Sequence, residues 1–115
     1  MLNFTEFQNA NEERCVNGFG HKLGDWSLLE WGGACAGEIG EACNKAKKLK
    51  RFDGGIRGNK EHETYGDLKD ELAREIADGM IYAFLWLSAA GYNAEELIRE
   101  TFNKKSDEIG SDIKV

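Results

Sequence analysis

Two pairs of acidic residues in this chain stand at helical spacing. Glu38 and Glu41 form an ExxE motif, and Glu75 and Asp78 form an ExxD motif farther along. Residues three apart lie on one face of an α-helix, so each pair presents two carboxylates side by side. A single ExxE is common in a chain with 21 acidic residues and usually marks a solvated face. Two such pairs in apolar sequence are less common, because ionised carboxylates rarely enter such surroundings unpaired. A solvated face and a metal site are both open at this point.

Basic residues near the two motifs are too few to neutralise four carboxylates. Arg74 is the one basic residue a helical turn from Asp78, and it lies on the Glu75 side of the pair. A divalent cation would supply the missing charge, and oxygen-only ligands favour Mg²⁺ or Mn²⁺ over zinc or copper. If the two helices pack antiparallel, the pairs face each other and form a site of four carboxylates.

The apolar periodicity predicts an all-α protein, because no segment shows the alternation of a strand. Thr5 is a plausible N-cap for the first helix, and Asn93 for the last. Glycine and asparagine supply the turn signals, since the chain has no proline. The expected helices cover residues 5–17, a segment from Asp25 or Ser27 to Phe52, residues 64–90 and residues 93–109.

Part of the third helix requires more than one chain to cover it. Residues 79–90 contain no charged side chain, so this segment is apolar on every face. A helix that is apolar all round must be buried all round, and three partner helices in a small chain hardly suffice. The sequence therefore predicts a four-helix bundle completed by a second subunit, in a homodimer or homotetramer.

The second helix contains glycines at Gly32, Gly33, Gly37 and Gly40. Each glycine costs about 0.5–1 kcal/mol relative to alanine inside a helix. A helix tolerates this cost where a partner helix or a ligand must approach its backbone closely. Either occupant would explain these glycines.

Composition limits the classes of function. At 115 residues the chain is expected to form one domain, residues 1–115. A net charge of −6 argues against binding a nucleic acid polymer, which needs a basic surface. The three cysteines form no CxxC, so zinc is not expected. No apolar run reaches the roughly 20 residues of a membrane span, and the N-terminus has no signal-peptide pattern. We therefore expect a cytoplasmic protein without membrane contact.

Nearly the whole chain resembles the MazG-like nucleoside triphosphate pyrophosphohydrolases, in particular the small single-domain members of phages and bacteria. The resemblance is carried, in chain order, by residues 26–31 (WSLLEW), 37–44 (GEIGEACN), 47–49 (KKL), 71–78 (ELAREIAD) and 102–106 (FNKKS).

The resemblance implies an all-α dimer or dimer of dimers and Mg²⁺-dependent hydrolysis of a (deoxy)nucleoside triphosphate to a monophosphate and pyrophosphate. By position, Glu38, Glu41, Glu75 and Asp78 match the Mg²⁺ ligands of the family. In this chemistry the ion neutralises phosphate charge and acidifies a water molecule. Glu38 or Glu41 then orients or deprotonates that water as the catalytic carboxylate.

Substrate contacts follow less directly from the resemblance. Asn44, Lys48 and Asn103 are candidates for holding phosphates or sugar. Trp31 lies seven residues before Glu38 and would either stack on a base or belong to the core. Gly37 stands where many relatives have another glutamate.

Basic residues cluster in two places in this chain. Lys104 and Lys105 replace a better-spaced basic set in the last helix. The run Lys47, Lys48, Lys50 and Arg51 either offsets a helix C-terminus or guides phosphates.

Other readings compete with this one. A non-catalytic helical interaction module could share the fold, and the same chemistry could act on phosphoribosyl-ATP or on one specialised triphosphate. A di-iron bundle is strongly disfavoured, because it uses Glu-x-x-His and the chain has none.

Overall fold

The computed structural model describes residues 1–115 and is entirely helical, which confirms the all-α prediction. None of its helices combines the length and apolar character that crossing a membrane requires. A π-helical turn (Arg14–Gly18) and a 3₁₀ turn (Leu23–Asp25) connect the first two α-helices. The α-helices are α1 (Phe4–Glu13), α2 (Leu28–Asp53), α3 (Tyr65–Ala89) and α4 (Ala94–Glu108).

The N-cap predicted for α1 was wrong, whereas the one predicted for α4 is confirmed. Asn3 caps α1, because its side chain accepts a hydrogen bond from the Glu6 N–H at 2.8 Å. The Thr5 hydroxyl donates instead to the carboxylate of Glu95. Asn93 accepts from the backbone N–H of the third residue of α4, at 3.0 Å. Threonine and asparagine are both good N-caps, so composition could not choose between residues 3 and 5.

The chain divides into two compact units. The first combines residues 1–28 with residues 84–115, and the second is residues 29–83. In the first unit, Phe84 forms edge-to-face pairs with Phe4 and Phe7, with ring centroids 5.5 and 4.9 Å apart. Such edge-to-face pairs add to the free energy gained by burying the rings.

Gln8 organises the polar part of the first unit. Its side chain is buried, and its amide donates to Ser88 Oγ at 3.0 Å and to the Tyr92 carbonyl at 2.8 Å. Its carbonyl oxygen accepts from the Ala94 N–H at 2.7 Å, at the first residue of α4. One side chain thus satisfies the backbone groups on either side of Asn93, which burial would otherwise penalise.

The second unit is an antiparallel hairpin of α2 and α3. Near the start of α2, Cys35 Sγ donates to the Gly79 carbonyl at 3.6 Å. Farther along α2, Lys45 reaches back to Glu71, earlier in α3. Later positions of α2 therefore meet earlier positions of α3. Leu68 is fully buried in this unit.

At Gly79 a side chain of α2 lies directly against the backbone of α3. A Cβ added there would lie 2.6 Å from Ile39 Cδ1, far inside normal contact. Added Cβ atoms at Gly33, Gly37 and Gly40 would instead meet open space. Within the chain, close approach therefore depends on a glycine of α3 and not on these glycines of α2.

We predict opposite responses to alanine at these positions. Gly37→Ala should stabilise the protein by about 0.5–1 kcal/mol, because alanine favours helix and nothing obstructs it. Gly79→Ala should lack that gain in the wild type but show it in an Ile39→Ala background, because the double-mutant cycle separates the contact from the cost of removing Ile39. Urea denaturation of the single and double variants measures both effects. Equal stabilisation by Gly37→Ala and Gly79→Ala would contradict the close approach.

Candidate metal centre and basic cleft

Three of the four predicted carboxylates come together in the α2–α3 hairpin. One oxygen from each of Glu38, Glu41 and Glu75 lies within 4.8 Å of the other two. Glu38 and Glu75 are half-buried, while Glu41 is exposed. The helical spacing of three places Glu38 and Glu41 on one face, and the antiparallel packing brings Glu75 to them.

Asp78, the fourth predicted ligand, lies outside this group of three and is exposed. Its charge still acts on the cluster, since it contributes to the raised pKa values of Glu38 and Glu75. The structure therefore gives a cluster of three carboxylates with a fourth at its border.

Mutual repulsion shapes the electrostatics of the cluster. Desolvation raises the pKa of Glu38 above its ordinary value, and the charges of Glu41 and Asp78 raise it further. Desolvation also raises the pKa of Glu75, followed by a hydrogen bond with Glu41 and the charges of the neighbouring acids. A cation among these groups would reverse the effect and favour their ionised forms.

Two cations near the cluster form their ion pairs with other acids. Arg74 Nε lies 3.0 Å from Asp70 Oδ2, one turn away on the exposed surface of α3. Lys45 Nζ lies 2.8 Å from Glu71 Oε2, and this hydrogen bond is the main cause of its raised pKa. Asp70 and Glu71 are therefore held in ion pairs beside the cluster.

The donor set fits a hard divalent ion. Mg²⁺ binds oxygen at about 2.0–2.1 Å, so two oxygens on one ion lie roughly 3–4 Å apart. Oxygens already within 4.8 Å of one another reach that spacing by small rotations of exposed or half-buried side chains. No histidine or cysteine belongs to the cluster, which disfavours zinc.

A cleft of about 460 Å³ adjoins the cluster, and we call it the basic cleft. Two cluster members, Glu41 and Glu75, line it together with one amide and four cationic side chains. These further lining residues are Asn44, Lys45, Lys47, Lys48 and Arg51, all from α2. The predicted substrate contacts Asn44 and Lys48 thus share one cavity with two predicted metal ligands.

The loop between α2 and α3 holds Lys48 in place. Its ammonium lies 3.4 Å from Glu63 Oε1, and its carbonyl accepts from Asn59 Nδ2 at 2.8 Å. The Glu63 carboxylate also accepts from the Lys60 N–H at 3.3 Å. Desolvation opposes ionisation of Glu63, but the charge and hydrogen bond of Lys48 and the Lys60 N–H lower its pKa overall.

The other two predicted substrate contacts have different surroundings. Trp31 is 2% exposed, and its ring centroid lies 6.5 Å from that of Tyr82. The ring is therefore a core residue with no open face for a base. Asn103 lies in the first unit, where its side chain pairs with both the N–H and the carbonyl of Val115, each at 2.9 Å.

Sequence reasoning missed Lys45, Asn59 and Glu63 as parts of this region. Lys45 carried a usable signal, because it follows Glu41 by four residues and so shares its helix face. Asn59 and Glu63 come from the loop, where no periodicity shows which side chain will fold back onto α2.

Comparisons of the chain with protein-family models, with curated proteins and with solved structures found no match. The MazG-like resemblance therefore rests on the motif residues themselves.

We predict that Mg²⁺ stabilises the protein through this cluster. At ten times its Kd, Mg²⁺ should add about 1.4 kcal/mol and raise the Tm of the wild type by about 5 °C. Glu75→Gln should abolish this rise, and the matched control Glu100→Gln, on exposed α4 surface, should retain it. Differential scanning calorimetry at pH 7 with and without Mg²⁺ provides the measurement.

The metal-free protein should respond to pH with a defined sign. The raised pKa values of Glu38 and Glu75 mean that the folded state holds protons more tightly than the unfolded state. Their contribution to stability is therefore present at low pH and is lost as pH rises through the folded pKa values. Under chelator at pH 7, Glu75→Gln should consequently be more stable than the wild type. A less stable variant would show that Glu75 is not under repulsion.

Proposed function

We propose that the protein is a Mg²⁺-dependent nucleoside triphosphate pyrophosphohydrolase, which converts a (deoxy)nucleoside triphosphate to a monophosphate and pyrophosphate. The observation that carries the proposal is the continuity of the carboxylate cluster with the basic cleft. A cluster of acids suits a hard cation, and a cleft with four cations suits phosphate groups. The resemblance of the motifs to MazG-like enzymes supports the same reaction.

Each group in the site has a role in this reaction. Glu38, Glu41 and Glu75, with Asp78 at the border, would hold the ion or ions, which supply positive charge against the phosphate oxygens and activate water. Glu41 is exposed and borders the cleft, so it is better placed than half-buried Glu38 to orient or deprotonate the attacking water. Asn44 and Lys48 line the cleft as contacts for phosphate or sugar.

The compartment is part of the proposal. All three cysteines are free thiols, which agrees with the reducing cytoplasm, where nucleoside triphosphates are made. No cysteine is needed as a nucleophile, because water can displace pyrophosphate directly.

The activity is tested by pyrophosphate release from eight ribo- and deoxyribonucleoside triphosphates, with phosphoribosyl-ATP as a ninth substrate. With Mg²⁺ the wild type should form monophosphate and pyrophosphate from at least one of them. Glu41→Gln should lower kcat/KM by about 10²–10⁴-fold, the range typical of removing a general base. Glu100→Gln should behave as the wild type.

Two results would contradict the proposal. Absence of product from every substrate with either Mg²⁺ or Mn²⁺ would favour a non-catalytic interaction module. Full activity in Glu41→Gln would contradict the role of Glu41 as metal ligand and catalytic carboxylate.

We also propose that the chain works as a homodimer or homotetramer. Apolar side chains beside the cluster remain about half exposed, namely Ile39 at 45%, Ile76 at 46% and Met80 at 56%. They lie on the two helices that carry the carboxylates, and together they present apolar surface typical of an interface. A second copy covering them would also shield the cluster from water.

The assembly is tested by analytical ultracentrifugation at micromolar concentration. The wild type should sediment as a dimer or tetramer, and Met80→Glu should shift it toward the monomer, because burying an unpaired charge is costly. Ile113→Glu, which changes a 70% exposed residue of the C-terminal tail, is the control and should leave the assembly unchanged. A monomeric wild type would contradict the proposed assembly.

A further inference from the structure

The four cations of the basic cleft are not equivalent. Lys45 and Lys48 already have carboxylate partners, at 2.8 and 3.4 Å. Lys47 and Arg51 line the same cleft and form no ion pair. Two unpaired cations in one concave site repel each other, and an anion bound between them would remove that repulsion.

The order of charges along α2 gives the cleft a direction. Glu41, Asn44, Lys48 and Arg51 follow one another at steps of three, four and three residues, so they lie along one helix face. The distance from Glu41 to Arg51 is about 15 Å along the axis. A ligand lying in the cleft therefore meets the carboxylates at one end and cations alone at the other.

A favourable interaction with the dipole of α2 does not by itself explain why Lys47 and Arg51 are cationic. Lys50 would offset the helix dipole as well as its neighbours do, yet it does not line the cleft. Lys47 and Arg51 differ from it by facing a cavity of about 460 Å³. A cavity of that size admits a small anion with several phosphate groups.

We propose that the basic cleft binds the diphosphate end of the substrate, with Lys47 and Arg51 as its unpaired cationic ligands. This inference rests on the proposed function and gives it an orientation. The α-phosphate lies at the carboxylates, the β- and γ-phosphates extend toward Arg51, and the nucleoside points away from the basic end.

The cleft then stabilises the leaving group. Water adds its oxygen to the α-phosphorus, and the bond from that phosphorus to the α,β-bridging oxygen breaks. Pyrophosphate departs with the bonding electron pair, and a proton of the water passes to a carboxylate. The charge that develops on pyrophosphate appears beside Lys47 and Arg51, where cationic donors stabilise it.

Lys48 is a further ligand for the diphosphate, and in the free protein it is paired with Glu63. Glu63 occupies its ammonium at 3.4 Å, which is longer than a strong charge-assisted hydrogen bond. A diphosphate carries more charge than one carboxylate and would compete for this ammonium. Removing the charge of Glu63 should therefore improve anion binding.

Isothermal titration with inorganic pyrophosphate tests the cleft, both under chelator and with Mg²⁺. Lys47→Gln and Arg51→Gln should each raise the Kd by about tenfold, in the range for one lost charge-assisted hydrogen bond. Lys50→Gln is the matched control, because it removes the same charge from the same helix outside the cleft, and it should change the Kd less than twofold. Glu63→Gln should lower the Kd, and orthophosphate should bind more weakly than pyrophosphate.

Several outcomes would overturn the inference. A wild type that binds no pyrophosphate in either condition would do so, as would losses in Lys47→Gln and Arg51→Gln no larger than in Lys50→Gln. Circular dichroism of each variant confirms that a loss is not due to unfolding.

Failure here and failure of the proposed function are distinguishable. If the wild type hydrolyses triphosphates while Arg51→Gln and Lys47→Gln keep its kcat and KM, the cleft inference alone is wrong. If no triphosphate is hydrolysed but pyrophosphate binding depends on Arg51 and Lys47, the cleft is an anion site and the proposed function is wrong.

Discussion

The antiparallel register of α2 against α3 is the constraint on which the rest of the site depends. Ile39 occupies the space that any side chain at residue 79 would need, since an added Cβ would lie 2.6 Å from its Cδ1. The Cys35–Gly79 and Lys45–Glu71 contacts show the same register of the antiparallel hairpin. Once it is fixed, Glu75 meets Glu38 and Glu41, and Glu71 meets Lys45 farther along. A change of register by one residue would move each of these side chains to another face.

The same packing brings three like-charged carboxylates together, and none of them forms an ion pair within the hairpin. Burial and like charges raise the pKa values of Glu38 and Glu75, yet Arg74 pairs with Asp70 and Lys45 with Glu71. Two neighbouring cations therefore form their ion pairs with acids outside the cluster. Such a distribution is unfavourable in a site that serves stability alone, and it becomes favourable when a divalent cation occupies the cluster.

The sequence predicted the local parts of this arrangement better than its long-range parts. The helices, the Asn93 cap and the pairing of carboxylates at spacing three depend on nearby residues, which periodicity and capping rules describe. Trp31 shows the limit of such rules. Its spacing from Glu38 is compatible with a ligand contact, but packing against other residues buries the ring. Asn103 shows it again, since its amide is satisfied by Val115, a partner that no local pattern indicates.

The net charge of the chain does not indicate which ligands its basic cleft can bind. A chain of net charge −6 repels a polyanion at long range, but charges separated by more than about 8–10 Å are largely screened at physiological salt. The lining of the basic cleft carries four cations and two carboxylates, and a metal at the carboxylate cluster would add further positive charge. A nucleic acid polymer needs an extended basic surface and so meets the repulsion of the whole chain. A single phosphate chain fits inside one screening length, and for such a ligand the charges lining the cleft decide binding.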